Sequence, residues 1–184
     1  MAETPLQRAS PVIAECDLLR AGPPLCRWVL RGAPEAMRAA ADALGLAPPE
    51  GPCRASAAAD RALLWLGPDE RLLLLEIEVA APLSGDVEHA LQTLPHAMVD
   101  VSQRQVALRA RGPHAAAALA AGCPLDLDPQ AFPVGMCTRT VLAKSEIVLW
   151  RTASESFHIE VWRSFAKYVS HFIAEAARAC SLPT

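Results

Sequence analysis

Hydrophobic positions along this chain recur with two periods, and the switch between them predicts most of its elements. The clearest pattern is RALLWLGPDERLLLLEIE, two apolar runs around Gly67-Pro68-Asp69-Glu70. Proline presets the backbone at the second turn position and aspartate suits the third, so the runs read as a β-hairpin. Upstream, LCRWVLRG predicts a strand over Leu25 to Leu30, broken at Gly32. A helix then runs from Pro34, a favourable first-turn residue, to about Leu44, with Gly45 as its stop. Downstream of the hairpin a second helix is expected from about Ser84 to Asp86 as far as Leu94, ended by Pro95.

The second half repeats the plan. AMVDVSQRQVALRARG reads as one long strand, in which Val106, Leu108 and Ala110 alternate with Ala107, Arg109 and Arg111. Gly112-Pro113 opens an alanine-rich helix that ends at Gly122. TRTVLAKSEIVLWR and SFHIEVWRS predict two strands joined at Thr152 to Ser156, and IVLWR lacks polar alternation, as a strand buried on both faces would. A last helix covers Phe165 to Ala179, with Phe165, Tyr168, Val169, Phe172 and Ile173 at helical spacing, mostly as a core stripe.

RWVLRGAPEAMRAAADALGL and VALRARGPHAAAALAAGCPL share one order: apolar strand, Arg, Gly, Pro, alanine-rich helix. An internal duplication follows, with halves of about 25–95 and 98–180, each strand, helix, hairpin, helix. The fold class is α+β, helices lying on one face of an antiparallel-rich sheet. Residues 1–24 hold Pro5, Pro11, Pro23 and Pro24 and little periodicity, and read as an extended N-terminal arm. Because it carries Leu6, Val12, Ile13, Leu18 and Leu19, it is expected to lie across this domain or a partner.

Composition narrows the function classes. Over 184 residues the hydrophobic fraction is 52% and the charged fraction 20%, enough for a core without disulfides. A net charge of −3 gives no basic footprint for nucleic acid. The apolar runs are too short or too interrupted to span a membrane, and MAETPLQRASPV lacks a signal-peptide pattern, so a cytoplasmic location with reduced thiols is expected.

Candidate chemistry gathers at four places. GCPLDLDPQAFPVGMCTRT holds Cys123, Asp126, Asp128 and Cys137; no histidine joins them, and hard and soft ligands are mixed, so a proline-stiffened loop with Leu125, Leu127 and Phe132 inward fits better than zinc or a dithiol. His158 and Glu160 share one strand face with Trp162 and could form an acid–base pair, or face a partner. Ser102, in DVSQR, has no nucleophile elbow around it. Trp162 lies opposite Phe157, Ile159 and Val161; if those are core, it looks outward, and with Arg163 and His158 it suits a protein contact.

Long segments carry a resemblance: LGPDERLLL, VDVSQRQVALRARGP, AGCPLDLDPQAFPVGMCTRTVLAKSEIVLWR and FHIEVWRSFAKYV. Together, over about residues 60–178, the chain resembles the gamma subunits of heterotetrameric sarcosine oxidases; residues 1–58 match only in general plan. The resemblance implies an assembly with alpha, beta and delta subunits that demethylates sarcosine oxidatively to glycine with formation of hydrogen peroxide. The one-carbon unit would pass to tetrahydrofolate or leave as formaldehyde. FAD, FMN, NAD and zinc would reside on the partner subunits and none in this chain. It also implies a fold like the folate-binding domain of aminomethyltransferases over residues 25–184. Those enzymes carry a Gly-Gly and an Asp pair on a strand that would align with Ala143 to Trp150, where this chain reads AKSEIVLW with Glu146 alone. A pterin amide edge would lack its carboxylate. No catalytic, cofactor-binding or metal residue is therefore expected. The rival class is a stand-alone tetrahydrofolate-binding or aminomethyltransferase-like protein using Glu146 or the His158/Glu160 pair.

Overall fold

The computed structural model describes residue 11 and residues 13–49 and 51–180. In chain order the elements are β1 (Leu19–Ala21), β2 (Leu25–Gly32), α1 (Pro34–Ala43), β3 (Ala55–Ala57), β4 (Arg61–Gly67), β5 (Glu70–Glu76), α2 (Ile77–Leu91), β6 (His96–Asp100), β7 (Gln105–Arg111), α3 (Ala115–Ala120), β8 (Cys137–Leu142), β9 (Ser145–Ala153), β10 (Ser156–Trp162) and α4 (Ala166–Cys180). They divide into two compact units, one spanning 24–102 and one joining the residues before 24 to those from 103 onward.

The first unit is a five-stranded sheet ordered β3-β4-β5-β2-β6, with α1 and α2 packed on each other and on β2 and β5. β5 is its centre because Leu72 to Leu75 are all buried and fill both sheet faces. The β4–β5 hairpin turns at Gly67 to Glu70, with Gly67 opposite Glu70. α1 starts with Pro34 in its first turn. It ends where Gly45 takes φ +62°, its N–H bonding Asp42 O at 2.9 Å while the Leu46 N–H bonds Ala41 O at 2.9 Å. That paired closure needs a left-handed residue, which glycine adopts without steric cost.

The second unit repeats the order as β8-β9-β10-β7-β1. Every neighbouring pair in both sheets is antiparallel. β7, α3, β8, β9, β10 and α4 thus correspond in order to β2, α1, β3, β4, β5 and α2, two similar halves as expected, with one strand more than the expected strand, helix, hairpin, helix order. The fifth positions differ in origin: β6 follows its own unit in the chain, whereas β1 comes from the N-terminal arm. Leu19 is fully buried in the core formed with Leu108, Leu149, Phe157, Ile159 and Ile173. The Ser170 hydroxyl accepts the Ala14 N–H at 3.0 Å and ties the arm to α4. Residues 13–23 therefore lie on this chain's own second unit; Leu6 and Val12 lie outside the described residues.

α4 buries Ala166, Val169, Ser170, Ile173, Ala174 and Ala177, spaced three and four apart along one stripe. Burying each Val or Ile there stabilises by roughly 1.5–3 kcal/mol. Phe172 packs at its edge, over Gly122, where an added Cβ would lie 2.6 Å from the phenyl ring. Glycine just beyond α3 is thus a close-approach requirement.

Four expectations need correction. The single strand expected over AMVDVSQRQVALRARG is two, β6 and β7, in different sheets. Asp100 Oδ1 accepts the Ser102 N–H at 2.8 Å, and this Asx turn ends β6 despite continuous apolar alternation. TRTVLAKSEIVLWR is likewise a hairpin, β8 and β9, turning at Ala143 with φ +51°. No glycine marks that turn; Ala143 is held there by its N–H donating to Gly122 O at 2.8 Å. α2 begins at Ile77 rather than near Ser84, with Pro82 inside it. A proline removes one N–H from the ladder, and here the exposed second turn tolerates it. Finally, of the supposed core stripe on α4, Phe165 and Tyr168 are exposed, because the α3 and sheet contacts fall on the side of Val169 and Ile173.

Candidate functional site

His158 and Glu160 lie two apart on β10, the central strand of its sheet, so their side chains share a face. His158 Nε2 is 2.7 Å from Glu160 Oε1, and the side chains are 6% and 0% exposed. The Trp150 ring tilts against the imidazole, centroids 5.8 Å apart. A buried pair of this kind satisfies two polar groups that the strand could not otherwise bury. His158 is therefore not part of a surface offered to a partner, which corrects that expectation: burial on both sheet faces overrode the polar alternation.

The cysteine-rich loop is organised by a buried arginine outside it. Arg151, 2% exposed, donates from Nη1 to Phe132 O at 2.7 Å and from Nη2 to Leu127 O at 3.1 Å. Its guanidinium also lies 4.7 Å from the centre of the Phe157 ring. Register places Arg151 opposite Phe157, on the core face, so it reaches under the loop. Leu127 and Phe132 are buried, as expected, while Leu125 is partly so. Asp126 and Asp128 each accept a backbone N–H two residues on, at 2.9 and 2.8 Å, closing Asx turns. Cys123 Sγ lies 3.9 Å from Thr140 Oγ1 in the core, whereas Cys137, three positions earlier on β8, has the opposite strand parity. The two thiols thus belong to opposite faces of one sheet. Among the described residues no three His, Cys, Asp or Glu side chains converge as a metal would require.

Ser102 is 6% exposed and its Oγ accepts the Arg27 N–H at 2.8 Å, fixing the end of β6 on β2. Nearby, burial pushes the Cys26 thiol above its ordinary range; Asp100 adds to this, and Ser102 and Arg27 oppose it. A thiol held neutral in this way is a weak nucleophile. Glu146 lies on the β8–β9 hairpin, 54% exposed and 3.9 Å from Arg139. It does not line either of two clefts in the second unit. One, about 540 Å3, runs between Leu18, Arg111, His114 and Ala177; the other, about 500 Å3, between Ala117, Asp128, Arg151 and Glu155. The Glu146 carboxylate thus stands toward solvent on the hairpin, with apolar Val148 and Trp150 following it on the same strand face.

Trp162 does face outward, 41% exposed, while Phe157, Ile159 and Val161 are core. The Arg104 guanidinium lies over its ring at 5.6 Å. Arg163 donates its backbone N–H to Arg104 O at 2.9 Å and reaches Gln103 Oε1 with Nη2 at 3.4 Å. The exposed Phe165 and Tyr168 continue the row along the start of α4. Trp162 and Arg163 are legible from strand alternation, whereas Phe165 and Tyr168, expected in the core stripe, are turned outward by the rotation of the helix against the sheet.

Among known proteins, the sarcosine oxidase subunit gamma of an Arthrobacter species is 35% identical over 130 residues, 71% of this chain and 63% of that protein. That of Corynebacterium strain U-96 is 38% identical over 115 residues, 62% of this chain and 55% of that protein. The chain thus spans less than two thirds of the length of these relatives. Among solved structures, a chain of the heterotetrameric sarcosine oxidase from Corynebacterium sp. U-96, in complex with pyrrole 2-carboxylate, superposes with a TM-score of 0.83 at 32% identity, covering 90% of this chain and 86% of that one. The glycine cleavage aminomethyltransferase T of Bartonella henselae superposes at 0.65 with 16% identity, covering 87% of this chain and 46% of that one, a likeness of fold alone. With residues 31–179 matched by the model of the sarcosine oxidase gamma subunit family, and with this duplicated fold, the chain belongs to that family.

Proposed function

We propose that this chain acts as a non-catalytic gamma subunit of a heterotetrameric sarcosine oxidase, packing against alpha, beta and delta subunits in the cytoplasm. In this reading the partners carry FAD, FMN, NAD and zinc. The assembly demethylates sarcosine oxidatively to glycine, forms hydrogen peroxide, and passes the one-carbon unit to tetrahydrofolate or releases it as formaldehyde. The observation that carries the reading is the superposition, at a TM-score of 0.83, on a chain of a heterotetrameric sarcosine oxidase. The chemistry of the side chains is in keeping with it. His158 and Glu160 are buried on each other, Ser102 and the loop aspartates hold turns, and Glu146 stands on an exposed hairpin.

The test is co-expression with the partner subunits. The chain co-purifies with them, and the assembly carrying Glu146→Ala keeps the sarcosine turnover of the unsubstituted one. The isolated chain shows no saturable tetrahydrofolate binding in a calorimetric titration. Binding by the isolated chain that is lost in Glu146→Ala would replace this reading with a stand-alone folate protein.

A further inference from the structure

We propose that the row Trp162, Phe165 and Tyr168 is the docking surface for a partner subunit, and that the segment seated on it is apolar with carboxylates along its edge. This rests on the subunit reading above and adds where the contact is made and what chemistry it selects.

The first support is the row itself. Trp162, Phe165 and Tyr168 are 41%, 44% and 41% exposed, among the largest apolar side chains that the described residues leave open. Their three-residue spacing runs from the end of β10 through a single 3-10 turn, Arg163–Phe165, into α4. Residues three apart along the 3-10 turn and the helix lie on one side, so Phe165 and Tyr168 are neighbours, and Trp162 precedes them at the end of the strand. Three open aromatic side chains within one short stretch exceed the single scattered exposures usual on a surface that stays in water.

The second support is the sign of the charge. From Trp162 to Ile173 the chain carries Arg163 and Lys167 and no Asp or Glu, although its net charge is −3. Arg104 adds a third cation, laid over the Trp162 ring at 5.6 Å. A guanidinium stacked on an aromatic face keeps its N–H fork directed at the rim, where it fits a carboxylate. The Arg163 N–H bond to Arg104 O, 2.9 Å, fixes the turn that presents it, so little ordering is left for binding to impose. Aromatic anchors ringed by arginine are the residues that dominate contact energies.

The charge also decides against a second copy of this chain as the occupant. A symmetric dimer would place the strip on itself, bringing Arg104, Arg163 and Lys167 against their own kind. A carboxylate-bearing partner removes that repulsion.

The experiment uses the complex with its co-expressed partner subunits. Two variants of this chain are compared with the unsubstituted one: Arg104→Glu with Lys167→Glu, and Trp162→Ser with Phe165→Ser and Tyr168→Ser. Dissociation of this chain from the purified co-expressed complex is titrated by dilution at low and high salt, and folding of each variant is checked by circular dichroism. The charge-reversed variant is expected to fold and to bind at least about tenfold more weakly at low salt, with the deficit shrinking at high salt as the new like-charge repulsion is screened. The triple variant is expected to lose detectable binding; if it does not fold, the charge-reversed variant alone decides. If the unsubstituted chain assembles and the folded variants assemble equally well, the docking surface is refuted while the subunit reading stands. If the unsubstituted chain itself does not assemble, the subunit reading falls and takes this proposal with it. A discrete dimer of the isolated chain, broken by the triple variant while assembly is unaffected, would assign the strip to self-contact and also refute the proposal.

Discussion

Arg151 illustrates how a single side chain organises a region that the sequence presents as a puzzle. Its two Nη groups hold the carbonyls of Leu127 and Phe132, so the loop from Gly122 to Met136 is pinned from below by a cation rather than from within by its cysteines. Replacing it by methionine keeps much of the stem volume but leaves both carbonyls without these donors. Arg151→Met is therefore expected to lower stability by about 2–4 kcal/mol, read as a lower urea midpoint at unchanged slope. A loss within experimental error would mean that the loop is held by Leu127 and Phe132 packing alone. The charged end of IVLWR is visible in the sequence; that it points inward is not, since the same strand alternation serves equally with arginine at the rim. His158 and Glu160 carry the same lesson. Their shared face follows from spacing, while their burial depends on what covers that face.

At the scale of elements, the strongly patterned segments formed where expected: β2, α1 and the β4–β5 hairpin match the reading within a residue or two. Two of the misplaced boundaries share a cause. Each lies where local chemistry ends one element without glycine or proline to announce it, as at the Asp100–Ser102 Asx turn and at Ala143. α2 shows the converse, since Pro82 and Gly85 lie inside a helix they would normally interrupt. Gly85 is exposed, and an added Cβ would meet nothing within 4 Å. Gly85→Ala should therefore stabilise by about 0.5–1 kcal/mol through helix propensity and a less free unfolded chain. A raised thermal midpoint with unchanged circular dichroism is the expected result; an unchanged or lower midpoint would show that the middle of α2 needs its glycine.

For the molecule as a whole, the informative feature is the strand that closes the second sheet. The two units share one strand order, yet the fifth strand is β6, from the end of its own unit, in the first and β1, from the start of the chain, in the second. Leu19–Ala21 thus complete the sheet of the second unit. A chain lacking its first 22 residues loses Leu19 from the core and the Leu18 carbonyl that accepts the Arg111 N–H at 2.8 Å. Removing Leu19 alone costs roughly 2–5 kcal/mol at a fully buried site. The truncated chain is expected to unfold at lower denaturant and to lose hydrogen-exchange protection at Arg111. Retained protection there would mean that the arm is an accessory laid on a complete unit.

The amino-acid sequence by itself determined the α+β class, the duplication, most strands and helices, and the family, because these depend on periodicity and on long ordered segments. Only the tertiary structure decided which polar residues are buried, which aromatic residues stay outside, and which part of the chain supplies the closing strand. Those outcomes depend on the rotation of each element against its neighbours and on pairing between distant segments, and neither is encoded in local spacing.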